Sequence, residues 1–348
     1  MKSVLVCAAQ APLVTGGAEV LVRELAAHLA RRGFRVDVVA VPFHGHPPSE
    51  VVRQALAWRL LDVTESWGEK VDLVIPTKFP SWLVSHPRKV PWIFHQHREA
   101  YDLLGTVRSS FTDAPEDQRV REAIRSMDEV ALGECQAVFT ISRNVANRLA
   151  RYHGLAGTPL HPPPRDPGRF RTDGYGDYLL CAGRLEPIKR LDLVLRALAA
   201  STRPVRLKIA GTGALAGDLV RLAETLGVGG RVDFLGFVSD EDLVSLFAGC
   251  RATIYVPEDE DYGYVTVESL LSRKPVLTST DSGGPLEFIE DGETGVVAAP
   301  TPEALAEGID RLASLPDSRL REMGEAGRER VANITWDVVL DRLTEGIA

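Results

Sequence analysis

Apolar runs of strand length alternate with amphipathic runs of helix length along this chain, and one cluster of prolines interrupts the alternation. Such alternation predicts parallel sheets with helices on both faces. The proline cluster, residues 161–167, is unsuited to a helix interior or a central strand and predicts a linker. Strands are predicted at residues 4–9, 36–41, 71–76, 92–95 and 137–142, and then at 177–182, 205–210, 232–235, 252–256 and 275–279.

The linker divides this α/β protein into two doubly wound domains, residues 1–165 and 172–332. A length of 348 residues suits two domains. Ligands of doubly wound sheets bind at the carboxyl ends of the strands, so we expect two facing domains with the site in the cleft between them. A last helix, within residues 336–348, is predicted to cross back onto the first domain.

Charge content indicates which partners are compatible with the chain, and cysteine content indicates its compartment. Residues 1–165 carry 20 Lys and Arg against 17 Asp and Glu, and the rest of the chain has a net charge of −11. The mildly basic first half is compatible with an acidic acceptor or with peripheral contact to the inner face of a membrane, although ordinary solvated faces are the favoured interpretation. No basic stripe or recognised module indicates nucleic-acid binding. The four scattered cysteines predict buried thiols in a cytoplasmic protein.

Two carboxylates, Glu260 and Glu268, flank a predicted strand-to-helix junction. A helix that begins between them would present unpaired N–H groups there, suited to a phosphate, while the acids could bind a sugar. The acidic run Asp259-Glu260-Asp261 also resembles a metal site. A polar loop before a helix, favoured by the helix dipole, is the stronger interpretation.

Two cations, Arg184 and Lys189, follow the strand at 177–182. Together they could neutralise a diphosphate, or they could be surface cations beside a proline turn. The next strand leads into Gly211-Thr-Gly213, a loose dinucleotide-binding fingerprint. The acid expected about twenty residues later is missing, because Asp233 lies inside the following strand. A glycine turn beside a nucleotide pocket is therefore favoured over NAD binding.

Three further motifs contribute candidate residues. The loop after the first strand, Thr15-Gly16-Gly17-Ala18-Glu19, could bring backbone N–H groups to an anion, or Thr15 could cap the helix with Glu19 in its first turn. His95-Gln-His97 favours substrate contacts over a metal. Ser282, with its two glycines, predicts a capped turn into a short helix, with Glu287 facing either the cleft or solvent.

Taken in chain order, these motifs resemble the retaining glycosyltransferases that include glycogen synthases, sucrose synthases and many mannosyltransferases. The resemblance extends over nearly the whole chain, up to Thr335-Trp336 of the last helix. It implies the GT-B fold, in which two Rossmann-like domains face each other across a cleft and the C-terminal domain binds a nucleotide sugar. The family commonly has Glu-Gly-Phe-Gly where this chain has Glu260-Asp261-Tyr262-Gly263. We therefore regard Asp261 as the residue most relevant to donor choice.

The resemblance also implies roles for individual residues. The catalytic set is Glu260, which contacts the donor sugar, His95, which lines the sugar pocket, and the diphosphate ligands Arg184 and Lys189. Glu268 is implied to bind the ribose hydroxyls. The other implied donor-binding residues supply backbone or space, and they are Gly16, Gly17, Gly213, Gly263, Tyr264 and Val265.

The function implied is transfer of a hexose, with retention, from a UDP- or GDP-hexose to an acceptor hydroxyl, in cell-surface glycan or natural-product glycoside biosynthesis. The nucleotide sugar is a co-substrate, and no cofactor or metal is expected. The acceptor, whether glycan, lipid-linked sugar or small metabolite, cannot be read from the sequence. An epimerase of the same fold, a non-catalytic sugar-nucleotide binding protein and an NAD-dependent dehydrogenase are the alternatives.

Overall fold

The computed structural model describes residues 1–13 and 16–347, and the chain divides into two compact units. Unit 1 comprises Met1–Pro162 together with the C-terminal segment that begins at Ile334, and unit 2 is Pro163–Asn333. The boundary at Pro162 lies inside the proline cluster. Both units are α/β with parallel sheets, so the prediction of two Rossmann-like domains is confirmed.

Unit 1 contains two three-stranded parallel sheets and one short hairpin. The first sheet has the order β2-β1-β5, and the second has the order β6-β7-β8. A parallel bridge joins Val74, which is in β5, to Lys89, which precedes β6. The strands are β1 (Ser3–Gln10), β2 (Arg35–Pro42), the antiparallel pair β3 (Glu65–Ser66) and β4 (Glu69–Lys70), β5 (Leu73–Pro76), β6 (Trp92–Ile93), β7 (Phe139–Thr140) and β8 (Thr158–Pro159).

The helices of unit 1 bury one apolar face each, as their sequence periodicity requires. They are α1 (Gly17–Arg31), α2 (Pro48–Arg59), α3 (Pro115–Gly133), α4 (Arg143–His153) and α11 (Trp336–Leu343). Helix α11 follows unit 2 in sequence but packs in unit 1, where the Trp336 ring stacks on His28 of α1 at 4.4 Å between centroids. The C-terminal helix therefore crosses back to the first domain.

Unit 2 is built on one six-stranded parallel sheet of order β11-β10-β9-β12-β13-β14. Its strands are β9 (Tyr178–Ala182), β10 (Arg206–Ala210), β11 (Val232–Gly236), β12 (Ala252–Ile254), β13 (Val276–Ser279) and β14 (Gly295–Ala298). From β9 the chain builds outward to β11 on one side, and from β12 it builds outward to β14 on the other. The point where the order reverses lies between β9 and β12, and this is where such sheets bind ligands.

Helices cover the sheet of unit 2, and glycines let one of them approach a strand and another approach the loop at Arg273 closely. Gly308 of α9 lies where a Cβ atom would stand 2.6 Å from Leu277 Cδ1, and Gly324 of α10 lies where one would stand 2.2 Å from the Arg273 carbonyl oxygen. A side chain at either position would push its helix away. The helices are α5 (Leu191–Ala200), α6 (Ala216–Thr225), α7 (Asp240–Gly249), α8 (Tyr264–Leu271), α9 (Pro302–Ser314) and α10 (Asp317–Val331).

The predicted strands all occur, most with shifted ends, and the differences are local. The strands predicted at 92–95 and 137–142 contain only two paired residues each, and β3, β4, β8 and β14 were not predicted. Residues 295–298 form a short apolar run with a glycine, which is too brief to show periodicity. No helix in the described part of the chain is long and apolar enough to cross a membrane.

Candidate active site

A narrow pocket opens at the switch point of unit 2, at the carboxyl ends of β9, β10 and β12. Gly183, Arg184 and Lys189 from the segment after β9 line it, together with Ala210 and Tyr255 from the ends of the neighbouring strands. The sequence singled out Arg184 and Lys189 in one motif, and its second motif, Gly211-Thr-Gly213, follows Ala210 directly. The sheet topology brings both motifs to one place.

Glycines give this pocket its shape by letting two loops touch backbone to backbone. A Cβ atom at Gly211, whose φ is +143°, would stand 1.8 Å from the Gly183 carbonyl oxygen, and one at Gly213 would stand 2.4 Å from that of Leu185. The Leu185 N–H donates to the Thr212 carbonyl at 2.9 Å. The geometry thus gives Gly213 a packing role beside the pocket. Asp233, the acid considered for NAD, is instead paired with Arg206 at 3.0 Å.

Lys189, Tyr255 and Glu260 form a closed cluster at the pocket. The Lys189 ammonium forms an ion pair with Glu260 Oε2 and donates to the Tyr255 hydroxyl at 3.0 Å. The Tyr255 hydroxyl donates in turn to the same Glu260 oxygen at 3.1 Å. The side chains of Lys189 and Glu260 are 15% and 19% exposed, so the pair lies at the edge of solvent. Two residues predicted separately are therefore direct partners.

Tyr255 is a member of this cluster that sequence reasoning missed. It follows β12 directly and is buried, and burial, with Glu260 beside it, raises the pKa of its phenol well above the usual value. The neutral hydroxyl can therefore act as donor and acceptor at once. A tyrosine at the carboxyl end of a buried strand is the signal that could have identified it.

Backbone hydrogen bonds hold the loop that carries Glu260. The Glu260 N–H donates to the Ser282 carbonyl at 3.0 Å, and the Gly284 N–H donates to the Glu260 carbonyl at 2.8 Å. The loop ends at Gly263, whose φ of +85° allows the turn into α8. The position of Glu260 is therefore set by main chain on both sides.

The first turn of helix α8 lies between the two predicted acids. The helix begins at Tyr264, so Glu268 lies one turn inside it, and the N–H groups of residues such as Tyr264 and Val265 lack acceptors within the helix. Glu268 is half-buried, and burial raises the pKa of its carboxyl to about 7, against a smaller opposing effect of Arg169. Among the described residues, its carboxylate accepts no hydrogen bond. It is available to a ligand.

Arg184 differs from Lys189 in its surroundings. Its guanidinium is 66% exposed and pairs with Glu186 at 2.8 Å. A solvated and already paired cation attracts an anion less strongly than one at the edge of a buried cluster. We therefore expect Arg184 to contribute less than Lys189 to anion binding.

Arg190 holds the loops of the site together through hydrogen bonds. Its role was not predicted from the sequence. Its guanidinium donates to the carbonyls of Val256 and Pro257 at 2.8 Å each, to Ser279 Oγ at 2.8 Å, and to both carboxylate oxygens of Asp281 at 2.7 and 2.8 Å. These contacts connect the loop before Glu260 to the loop after β13. Arg190 is thus a positioning residue.

Replacing Arg190 by lysine should lower the free energy of unfolding of the protein by about 2–4 kcal/mol, because an ammonium cannot reproduce the planar fork and leaves partly buried acceptors unpaired. Calorimetric unfolding measures the change. Arg206→Lys is the matched control, since that guanidinium is 52% exposed, and it should cost less than about 1 kcal/mol. Equal losses for the two variants would contradict the positioning role.

His95, Gly16 and Gly17 belong to unit 1. His95 is partly exposed, and its Nδ1 donates to the Gln96 carbonyl at 2.9 Å, which orients the ring. His97 is 8% exposed, with its ring among Phe43, Phe79 and Phe111, and burial lowers its pKa to about 4. Of the two histidines, only His95 has the exposure that a substrate contact requires.

The capping prediction was wrong at Ser282, and the one at Thr15 falls on a residue outside the described part of the chain. Helix α1 has Gly16 as its N-cap, and the Gly16 N–H donates to Glu19 Oε2 at 2.9 Å, while the predicted cap, Thr15, lies outside the described residues. Ser282 does not cap the short 3-10 helix at Gly284–Glu287, whose N-cap is Gly283. Its hydroxyl accepts from the Ser279 N–H instead, because Ser279 ends β13 three residues earlier and its N–H needs a partner.

Two protein families together match nearly the whole chain. Residues 15–165 match the family described as Glycosyltransferase Family 4, and residues 166–330 match the family described as Glycosyl transferases group 1. A D-inositol 3-phosphate glycosyltransferase from Mycolicibacterium paratuberculosis is 33% identical, over 94% of this chain and 84% of the relative. The chain belongs to the family 4 glycosyltransferases. The resemblance drawn from the motifs is confirmed, and this protein is a glycosyltransferase of the GT-B type.

Solved structures show the same fold for this glycosyltransferase at low identity. Sucrose-phosphate synthase from Thermosynechococcus elongatus has a TM-score of 0.76 at 18% identity, with 98% of this chain and 97% of that chain covered. HepE from Anabaena, solved in complex with UDP and glucose, has a TM-score of 0.70 at 16% identity, with 99% of each chain covered.

Proposed function

We propose that this glycosyltransferase moves a hexose from a nucleoside diphosphate hexose, UDP- or GDP-linked, to an acceptor hydroxyl with retention at the anomeric carbon. The observation that carries the proposal is the arrangement at the switch point of unit 2. Lys189 and Tyr255 line one pocket there, Glu260 pairs with that lysine, and Gly263, the N-cap of the helix that contains Glu268, lies against the Tyr255 ring. An anion and a polyol are the groups that these residues recognise.

In the proposed reaction the bond between the anomeric carbon and the phosphate oxygen breaks, and its electron pair goes to the diphosphate. Lys189, Arg184 and the N–H groups at the start of α8 stabilise that negative charge. The acceptor oxygen bonds to the anomeric carbon on the same face, and its proton passes to the departing phosphate oxygen. These residues do the work without a metal ion. Glu260 contacts the donor sugar, and Glu268 accepts from the ribose hydroxyls.

The comparisons support the choice of ligands. HepE was solved with UDP and glucose, and the inositol phosphate glycosyltransferases are named for a phosphorylated polyol acceptor. UDP-glucose is therefore the first donor to test, and D-inositol 3-phosphate is the first acceptor. Acceptors from cell-surface glycan and natural-product pathways complete the panel.

A thermal-shift screen against UDP, GDP, ADP and CDP and their hexoses is the first experiment, because a ligand that binds the native state raises the melting temperature. The binding donor is then incubated with the acceptor panel, and proton NMR of the product reads its anomeric configuration. A product with the donor's configuration is expected. An inverted product would refute retention, a changed free or nucleotide-linked sugar would indicate an epimerase, and no shift with any nucleotide would refute the proposal.

A further inference from the structure

In the cluster of Lys189, Tyr255 and Glu260, the lysine and the glutamate neutralise each other's charge without a ligand. The cation and the carboxylate are in direct contact, and one tyrosine hydroxyl bonds to both. In the proposed function Lys189 binds the diphosphate and Glu260 binds the sugar. A donor therefore has to separate two groups that already neutralise each other.

The cost of that separation depends on what the ligand brings. A nucleoside diphosphate supplies an anion for Lys189 but no hydroxyl for Glu260. It would leave the Glu260 carboxylate, 19% exposed and held in place by backbone bonds, without its cation. A nucleotide sugar supplies both the anion and the hydroxyl donors, so both members of the broken pair regain partners.

We infer that the Lys189–Glu260 pair is a selectivity device that weakens the binding of nucleoside diphosphates relative to nucleoside diphosphate sugars. Glu260 competes with the diphosphate for Lys189, and only a donor that carries a sugar compensates the displaced carboxylate. The pair would thereby favour release of the diphosphate product after transfer. This inference rests on the proposed function, and it assigns Glu260 a second role beyond its contact with the sugar.

Tyr255 contacts both charged groups and limits how far they can move relative to each other. Its ring lies 5.3 Å from the Lys189 ammonium, and its hydroxyl bonds the same Glu260 oxygen that the ammonium meets. When Lys189 turns to a diphosphate, the hydroxyl still has Glu260 as a hydrogen-bond acceptor. The carboxylate thus keeps the tyrosine hydroxyl as a hydrogen-bond donor while the cation moves.

The test compares Glu260→Gln with the wild type by isothermal titration at physiological ionic strength, with UDP and UDP-glucose as probes, or with GDP and GDP-mannose if UDP does not bind. Glutamine keeps the shape of the side chain and removes its charge. UDP should bind the variant about three- to tenfold more tightly, since a partly buried competing charge is gone. UDP-glucose should bind no more tightly than it binds the wild type, because glutamine is a poorer hydroxyl acceptor than a carboxylate.

Two controls separate the pair from a general charge effect. In the Lys189→Met background, Glu260→Gln should change the affinity for UDP less than about twofold, because no cation remains to be released. Glu258→Gln removes an exposed carboxylate from the same loop and should also leave the affinity for UDP within about twofold. Circular dichroism verifies the fold of each variant, and Glu260→Ala should tighten UDP binding in the same direction.

Unchanged or weaker binding of UDP by Glu260→Gln would overturn the inference, and so would tightening that persists in the Lys189→Met background. Equal tightening of UDP and UDP-glucose would overturn it as well. A wild type that binds none of these nucleotides would instead refute the proposed function. The two failures are therefore distinguishable.

Discussion

Lys189→Met should lower kcat by about 10²–10³, because it removes a preorganised cation from the oxygen atoms on which negative charge develops. The expected loss exceeds that of an ordinary surface charge for a structural reason. The Lys189 side chain is only 15% exposed and lies against Tyr255, so solvent screens its charge less than that of a surface cation. Single-turnover transfer at saturating donor measures the chemical step.

Two variants calibrate this result. Arg196→Met removes an exposed cation from α5 that makes no ion pair among the described residues, and its kcat should stay within about twofold of the wild type. Arg184→Met should give an intermediate loss, since that guanidinium is 66% exposed and paired with Glu186. A Lys189→Met enzyme with more than about a fifth of the wild-type kcat would remove Lys189 from the proposed mechanism, in which such a contact is worth far more.

Periodicity was sufficient for most of unit 2 because its inner strands are largely buried and read as apolar runs. The runs around Leu179, Leu207 and Leu277 are examples, each with a leucine that is 0% exposed. The two-residue strands of unit 1 were harder. Strands β7 and β8 are defined by pairing with their neighbours, and a single sequence does not show which segments pair.

Candidate site residues were predictable from the sequence where the residue type itself indicates a chemical role. Contacts that form only because the fold brings distant segments together were not predictable. The sequence singled out Glu260, Glu268 and Lys189 because charged residues between a predicted strand and the following helix are conspicuous. The contact between Lys189 and Glu260 was not found, since it spans 71 residues and depends on β9 and β12 being neighbours. Arg190 was overlooked because nothing in its sequence context distinguishes a positioning residue from a surface cation.

Two residues after Glu260, Asp261 and Tyr262, differ from the family pattern, and they differ in how far the structure buries them. Tyr262 is 3% exposed and packs its ring against Phe288 at 5.8 Å between centroids, so this tyrosine fills the place of the family's phenylalanine as a core residue. Asp261, which replaces a glycine, is partly exposed. Of the two differences, only Asp261 has an exposed side chain, and it remains our predicted determinant of donor choice.

Glu268→Gln should raise the donor Kd about 10- to 100-fold, because a carboxylate that accepts two ribose hydroxyls makes charge-assisted hydrogen bonds worth about 1.5–3 kcal/mol each. The wild type should also bind its donor more tightly as pH rises. Burial places the pKa of the Glu268 carboxyl at about 7 in the free enzyme, and the hydroxyls stabilise the ionised form. Below pH 7 the carboxyl has to lose a proton before it can bind the ribose. Affinity therefore rises through about pH 7 and levels off above it, and the variant should lack this step.

A 2′-deoxy donor separates the ribose contact from a general loss of charge. The wild type should lose affinity for it, whereas Glu268→Gln should discriminate much less between the deoxy and the natural donor, because the partner of the missing hydroxyl is already altered. The charged groups around Glu268 are Arg169 and Asp240, and both are still present in the Glu268→Gln variant. A step near pH 7 that vanishes in Glu268→Gln is thus assignable to this carboxyl. If the variant kept both the pH step and full discrimination against the 2′-deoxy donor, Glu268 would not be the ribose ligand.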